Sequence, residues 1–83
     1  MKSSEKFCWV YMTAGSIEEA KNIGQKLVEQ NLAACVNLLE HMISIYKWEE
    51  QLKEGQEVVM IVKTRKILMP KLIETVKSHH SYD

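Results

Sequence analysis

The soft and borderline metal ligands of this sequence are Cys8, Cys35, His41, His79 and His80. None has the spacing of a dedicated zinc site, and the two cysteines form no CxxC pair. Cys8 and Cys35 each fall in an apolar segment, where a free cysteine packs as a small hydrophobe, so burial is the expectation for both. His41 lies between two strand-like segments and is expected to face solvent. His79-His80 is the more informative pair, because adjacent imidazoles at a helix end cannot both point into a core. A protonated histidine there complements the helix C-terminal dipole, and copper or zinc can use the pair opportunistically.

The acid-base inventory is poor. The chain has no GxSxG, no glycine-rich phosphate loop and no HExxH, and no base–nucleophile pair is visible, so catalysis is not expected. The turn Thr13 to Ser16 precedes a helix, and helix N-termini attract anions. It carries no arginine or lysine, which makes it a capping turn and weakens an acylphosphatase-like reading. Trp48-Glu49 and Lys63-Thr64 fall on two neighbouring strand-like segments, with Tyr46 and Trp48 on one strand face. Two aromatics beside a carboxylate and a lysine suit plain packing and a small pocket equally well, and the spacing leaves both open.

The elements that must position these residues come from 83 residues, enough for one domain over 1–83. A chain this short buries roughly 60–70% of its unfolded surface, so the core is thin. Hydrophobic residues make up 46% and charged residues 27%, an ordinary globular mix. Eleven basic residues balance eleven acidic ones. That zero net charge argues against nucleic acid or an anionic membrane as partner and favours self-association. The apolar run Phe7 to Met12 is too short for a signal peptide or a membrane span. With only two cysteines, a reducing, cytoplasmic setting is the expectation.

Phe7 to Met12 reads as a buried strand ending at a tight turn. Ser16 and Glu19 form a capping box, and Ile17, Ala20, Ile23, Leu27 and Val28 recur at helical spacing. Asn31 can adopt a left-handed conformation and close the helix. Ala33–Glu40 and Met42–Glu49 read as strand, Glu50–Gly55 as the polar segment containing a turn, and Glu57–Thr64 as the returning strand of a long hairpin. Pro70 must sit in the first turn of a second helix, expected over Ile67–Ser78.

The order β-α-β-β-α is one strand short of a ferredoxin-like βαββαβ unit, which leaves the first strand with an open edge. That strand is apolar on both faces, with Phe7, Trp9 and Tyr11 on one and Cys8, Val10 and Met12 on the other. The third strand behaves likewise. Two helices cover only one face of such a sheet, and an antiparallel sheet with a wet face should alternate. A second copy of the chain is the obvious cover for the other face.

Four segments in this order resemble one family: Ala33-Ala34-Cys35-Val36-Asn37, Ser44 to Glu49, Glu57 to Thr64, and His80-Ser81-Tyr82. They are similar to the CutA family of divalent-cation tolerance proteins, and the opening Val10 to Glu19 agrees. The resemblance implies an α+β, ferredoxin-like subunit and a homotrimer whose hairpins wrap neighbouring subunits. It also implies a cytoplasmic role in tolerance of copper and other divalent metals, without an obligatory cofactor. Carried over by position, an inter-subunit cleft is lined by Cys35, Trp48, Glu49, Lys63, His80 and Tyr82. Cys35, His79 and His80 are its metal-ligand candidates. The alternative is a small-molecule signalling module like the PII proteins, with Lys63 supplying charge and Trp48 a stacking surface. The chain departs from the family pattern at Ala14, where some bacterial members carry cysteine, and at Ser81, where proline is common. The family's last strand is also expected to be absent, the chain being C-terminally shortened.

Overall fold

The computed structural model describes residues 6–79. Its elements run β1 (Phe7–Ala14), α1 (Ile17–Glu29), β2 (Cys35–Trp48), β3 (Gln51–Arg65), a single 3₁₀ turn (Lys66–Leu68) and α2 (Met69–His79). The strands form one antiparallel sheet in the order β1-β3-β2. This is the expected α+β, ferredoxin-like arrangement with a long hairpin, and β1 is an edge strand among the described residues.

Local chemistry explains the boundaries. Ser16 caps α1 by accepting the Glu19 amide at 3.1 Å, and the Glu19 carboxylate accepts from the Gly15 amide at 3.0 Å. The reciprocal bond thus lands one residue before the cap rather than on it. Asn31 has φ 60°, and the Leu32 and Ala33 amides both donate to the Leu27 carbonyl, closing the helix as expected. Pro70 lies in the first turn of α2, where its missing amide costs nothing.

Two expectations are corrected. The hairpin turn is Glu49-Glu50, with Trp48 directly opposite Gln51, and Gly55 lies within β3. Both glutamates have positive φ, 50° and 67°, the backbone that a two-residue turn needs to match strand twist. Asparagine and glycine adopt it easily; for glutamate each such residue costs about 1–3 kcal/mol. Gly55 instead lies opposite Ser44 in the arm, where a β-carbon would make only ordinary contact, 3.8 Å from the Tyr46 ring. Second, the two segments read on either side of His41 are one strand. A β-bulge between Leu39 and Met42 absorbs the extra residue, with His41 exposed at φ 65°.

The core fills the face of the sheet under the helices. Ala20, Ile23 and Leu27 of α1 and Leu72 of α2 pack with Ala14, Val58, Met60 and Val62 of the strands. Gly24 lets α1 close onto β2, since a β-carbon there would stand 3.3 Å from Val36 Cγ1. Buried Thr64 donates its hydroxyl to the Leu32 carbonyl, tying β3 to the loop after α1. Thr64→Val keeps the shape and strips that donor from a buried carbonyl. A loss of about 1–3 kcal/mol is expected, read as a lower urea midpoint at unchanged m, with Thr64→Ser close to wild type.

The opposite face carries no helix. Phe7, Trp9, Tyr11 and Leu39 stand on it exposed, Trp9 and Tyr11 at 66% each. Past the bulge the hairpin continues as a bare two-stranded arm with Ile43, Ile45, Tyr46, Trp48 and Leu52 exposed. The arm stretches the subunit to 51 × 24 × 21 Å. A two-stranded ribbon is marginal alone in water, so both surfaces need covering.

Candidate functional site

Strand register decides which candidates meet. Lys63 of β3 lies directly opposite Trp9 of β1 on one side and Cys35 of β2 on the other. Directly paired residues point to the same face, so Trp9, Lys63 and Cys35 form a row across the helix-free face. Lys63 is half-buried, and its Nζ lies 5.4 Å from the centroid of the exposed Trp9 ring, a cation–π contact. Cys35 is a free, exposed thiol with its Sγ 4.0 Å from Asn37 Oδ1. The expectation that Cys35 is packed away is therefore corrected, and Cys8 is only partly buried. An apolar segment does not bury its cysteine when the face it points to has no cover.

The rows around this one are Phe7 and Arg65 on one side, then Tyr11–Ile61–Asn37 and Thr13–Val59–Leu39 on the other. These four rows thus present two cations and no carboxylate, and the next row, Met42–Glu57, carries one, which accepts from the Ser44 hydroxyl at 2.9 Å. Trp9 escaped the sequence reading because only the pairing of two distant strands places it beside Lys63. A lysine aligned with an exposed tryptophan could be found only after assigning that register.

Trp48 and Glu49 are elsewhere. They sit at the arm tip, twelve residues up β3 from Lys63, a span of about 40 Å at strand rise. His79 is partly buried in the last turn of α2, with Lys77, where a cationic side chain suits the helix end. The helix follows the 3₁₀ turn after β3 and runs 11 residues, about 16 Å, with His79 at its far end. His80 and Tyr82 lie outside the described residues. Among the described residues no three His, Cys, Asp or Glu side chains gather closely enough to hold a metal ion. Cys35 is the exposed thiol on this face. A groove of about 350 Å³ between α1 and β2, lined by Lys21, Gln25, Val28, Val36 and Leu38, contains none of the candidate residues. No helix among the described residues is long and apolar enough to cross a membrane.

Comparison with known proteins gives a consistent result. The family described as CutA1 divalent ion tolerance protein matches residues 8–83. The divalent-cation tolerance protein CutA of Thermus thermophilus is 45% identical over 73 residues, covering 88% of this chain and 71% of that protein. A solved structure of the divalent cation tolerance protein from Thermus thermophilus superposes with a TM-score of 0.85 at 43% identity, over 93% of this chain and 75% of that one. The periplasmic divalent cation tolerance protein CutA from Archaeoglobus fulgidus superposes at 0.84 with 40% identity, over 93% and 74%. Mouse Protein CutA is 42% identical over 73 residues, covering 88% of this chain, which spans 41% of that longer protein. On fold, length of match and identity together, the chain belongs to the CutA1 divalent ion tolerance family.

Proposed function

We propose that this protein works as a homotrimer that binds copper-type divalent metals and confers tolerance to them without catalytic turnover, in the cytoplasm. One observation carries the reading: Trp48 and Glu49 stand about 40 Å along a continuous strand from Lys63 and Cys35. Only a second copy can bring the two halves together. The uncovered aromatic face and the bare arm supply the apolar surface that such an assembly buries. A reducing compartment would keep both free cysteines available, although the Archaeoglobus fulgidus relative is named periplasmic.

Soft thiolate favours Cu(I), and Cys35 is the exposed cysteine of the two. Cys35→Ser is expected to weaken copper binding at least tenfold in a competition titration under reducing conditions, with Cys8→Ser near wild type. Equal affinities for the two variants would reject Cys35 as a ligand.

A second reading, a PII-like module for an anionic metabolite, is favoured by one feature: the end of the face around Lys63, with two cations and the exposed Phe7 and Trp9 rings. A thermal-shift series of metals against nucleotides separates the two, because the true ligand raises apparent stability with concentration.

A further inference from the structure

We propose that Met42 is a reversible oxidation site, and that its oxidation by a peroxide unlatches the hairpin arm from the body. The proposal uses one subunit's own residues and does not depend on how copies assemble.

A single hydroxyl serves two acceptors where the arm leaves the body. Strand β1 ends at the Ala14–Val58 row, and Met42–Glu57 is the next paired row, the first with two strands alone. It is also the first row after the bulge. Ser44 lies two residues on from Met42, on the same side of the strand. Its Oγ is 2.9 Å from Glu57 Oε1 and 3.4 Å from Met42 Sδ. A serine hydroxyl has one hydrogen to donate. The carboxylate accepts strongly and the thioether weakly, so in the reduced chain that hydrogen points to Glu57. The bond ties β2 to β3 at the root of a ribbon that is marginal by itself.

Oxidation reverses the ranking of the two acceptors. Hydrogen peroxide transfers one oxygen to the Met42 sulfur: a sulfur lone pair forms the S–O bond, the O–O bond breaks, and the departing hydroxide takes a proton and leaves as water. The thioether is oxidised by two electrons and the peroxide is reduced. A sulfoxide is polar, and its oxygen accepts where the sulfur accepted only weakly. It draws the hydroxyl hydrogen away from Glu57 and the latch opens. Methionine sulfoxide reductases restore the thioether. Position favours Met42 over two other methionines: it is half-buried in the arm, whereas Met60 is fully buried and Met12 packs against the core.

The test treats the full chain with hydrogen peroxide at one fixed protein concentration. Peptide mass spectrometry locates each sulfoxide, and amide hydrogen exchange follows residues 43–57. Met42 should be oxidised ahead of Met12 and Met60, and exchange in the arm should rise about tenfold while α1 is unchanged. Sulfoxide reductases should return the arm to its starting rate. Met42→Leu should keep slow exchange after peroxide, although half-buried Met69 is still open to oxidation. Ser44→Ala should exchange as fast as the oxidised chain before any treatment and gain nothing from it. Met42→Gln, which sets a carbonyl acceptor beside the same hydroxyl, should loosen the arm with no oxidant. Circular dichroism checks that each variant is folded. Three results would each overturn the proposal: oxidation of Met42 with no change in the arm, protection of Met42 as strong as that of Met60, or a Ser44→Ala arm that still responds to peroxide.

Discussion

Glutamate at positions 11 and 39 together is expected to leave a folded monomer. Tyr11 and Leu39 point from the helix-free face and are 66% and 56% exposed in the subunit. Neither touches the core under the helices, so the subunit itself loses little. Their rows contain Ile61, Asn37, Val59 and Thr13, with no cation to pair the new charges. In the proposed trimer two carboxylates would be driven into an apolar interface, at several kcal/mol per unpaired ion. Each 1.4 kcal/mol is a factor of ten, so association should fall more than a thousandfold. Light scattering at micromolar concentration reads this directly. A variant that stays trimeric would show that this face is not the interface. Position 9 is a poorer choice, because glutamate there would sit opposite Lys63 and gain a partner.

The largest loss of subunit stability is expected for Leu27→Ala. Leu27 is fully buried, and its carbonyl accepts the Leu32 and Ala33 amides that close α1. Truncating a buried leucine costs about 2–5 kcal/mol, depending on how far the site collapses. A domain of this size has roughly 4–12 kcal/mol in total, taking about 0.05–0.15 kcal/mol per residue. The variant should therefore lose a large share of that stability and unfold at a clearly lower urea midpoint. Leu27→Met, which nearly conserves volume, should lose less than about 1.5 kcal/mol. Equal urea midpoints for the two variants, at one protein concentration, would contradict this account of the core. Concentration must be held fixed because assembly adds to apparent stability.

What was legible in the sequence was whatever is encoded within one or two turns of chain. Ser16 and Glu19 mark a cap by their spacing, Asn31 marks a helix end by its tolerance of positive φ, and Pro70 can stand only in a first turn. The two-sided apolar pattern of β1 was also readable, because alternation is local. The turn was legible only as lying somewhere in the polar segment Glu50–Gly55, since Glu-Glu is a poor candidate for left-handed backbone. The bulge at His41 was hidden for a similar reason: one extra residue in a strand leaves no compositional trace. Of the site, Cys35 and Lys63 were each picked out, but their being neighbours depends on the pairing of strands 28 residues apart. Trp9 enters only through a second non-local pairing. The exposure of Cys35 follows from which face lacks a helix, a property of the whole sheet rather than of the residues around it.

The bare arm also limits how this protein can change length. In the arm, side chains alternate between its two sides with a period of two. Removing one residue from each strand would turn Trp48 and its neighbours to the opposite side, exchanging what the arm shows to each flank. Removing two from each would restore the sides but draw the tip back by about 7 Å. In the proposed trimer, where the arm of one subunit meets another copy, neither change is tolerated unless the receiving surface moves with it. Loops elsewhere can drift by single residues, whereas in the proposed trimer β3 would act as a measuring rod whose length sets the spacing between subunits.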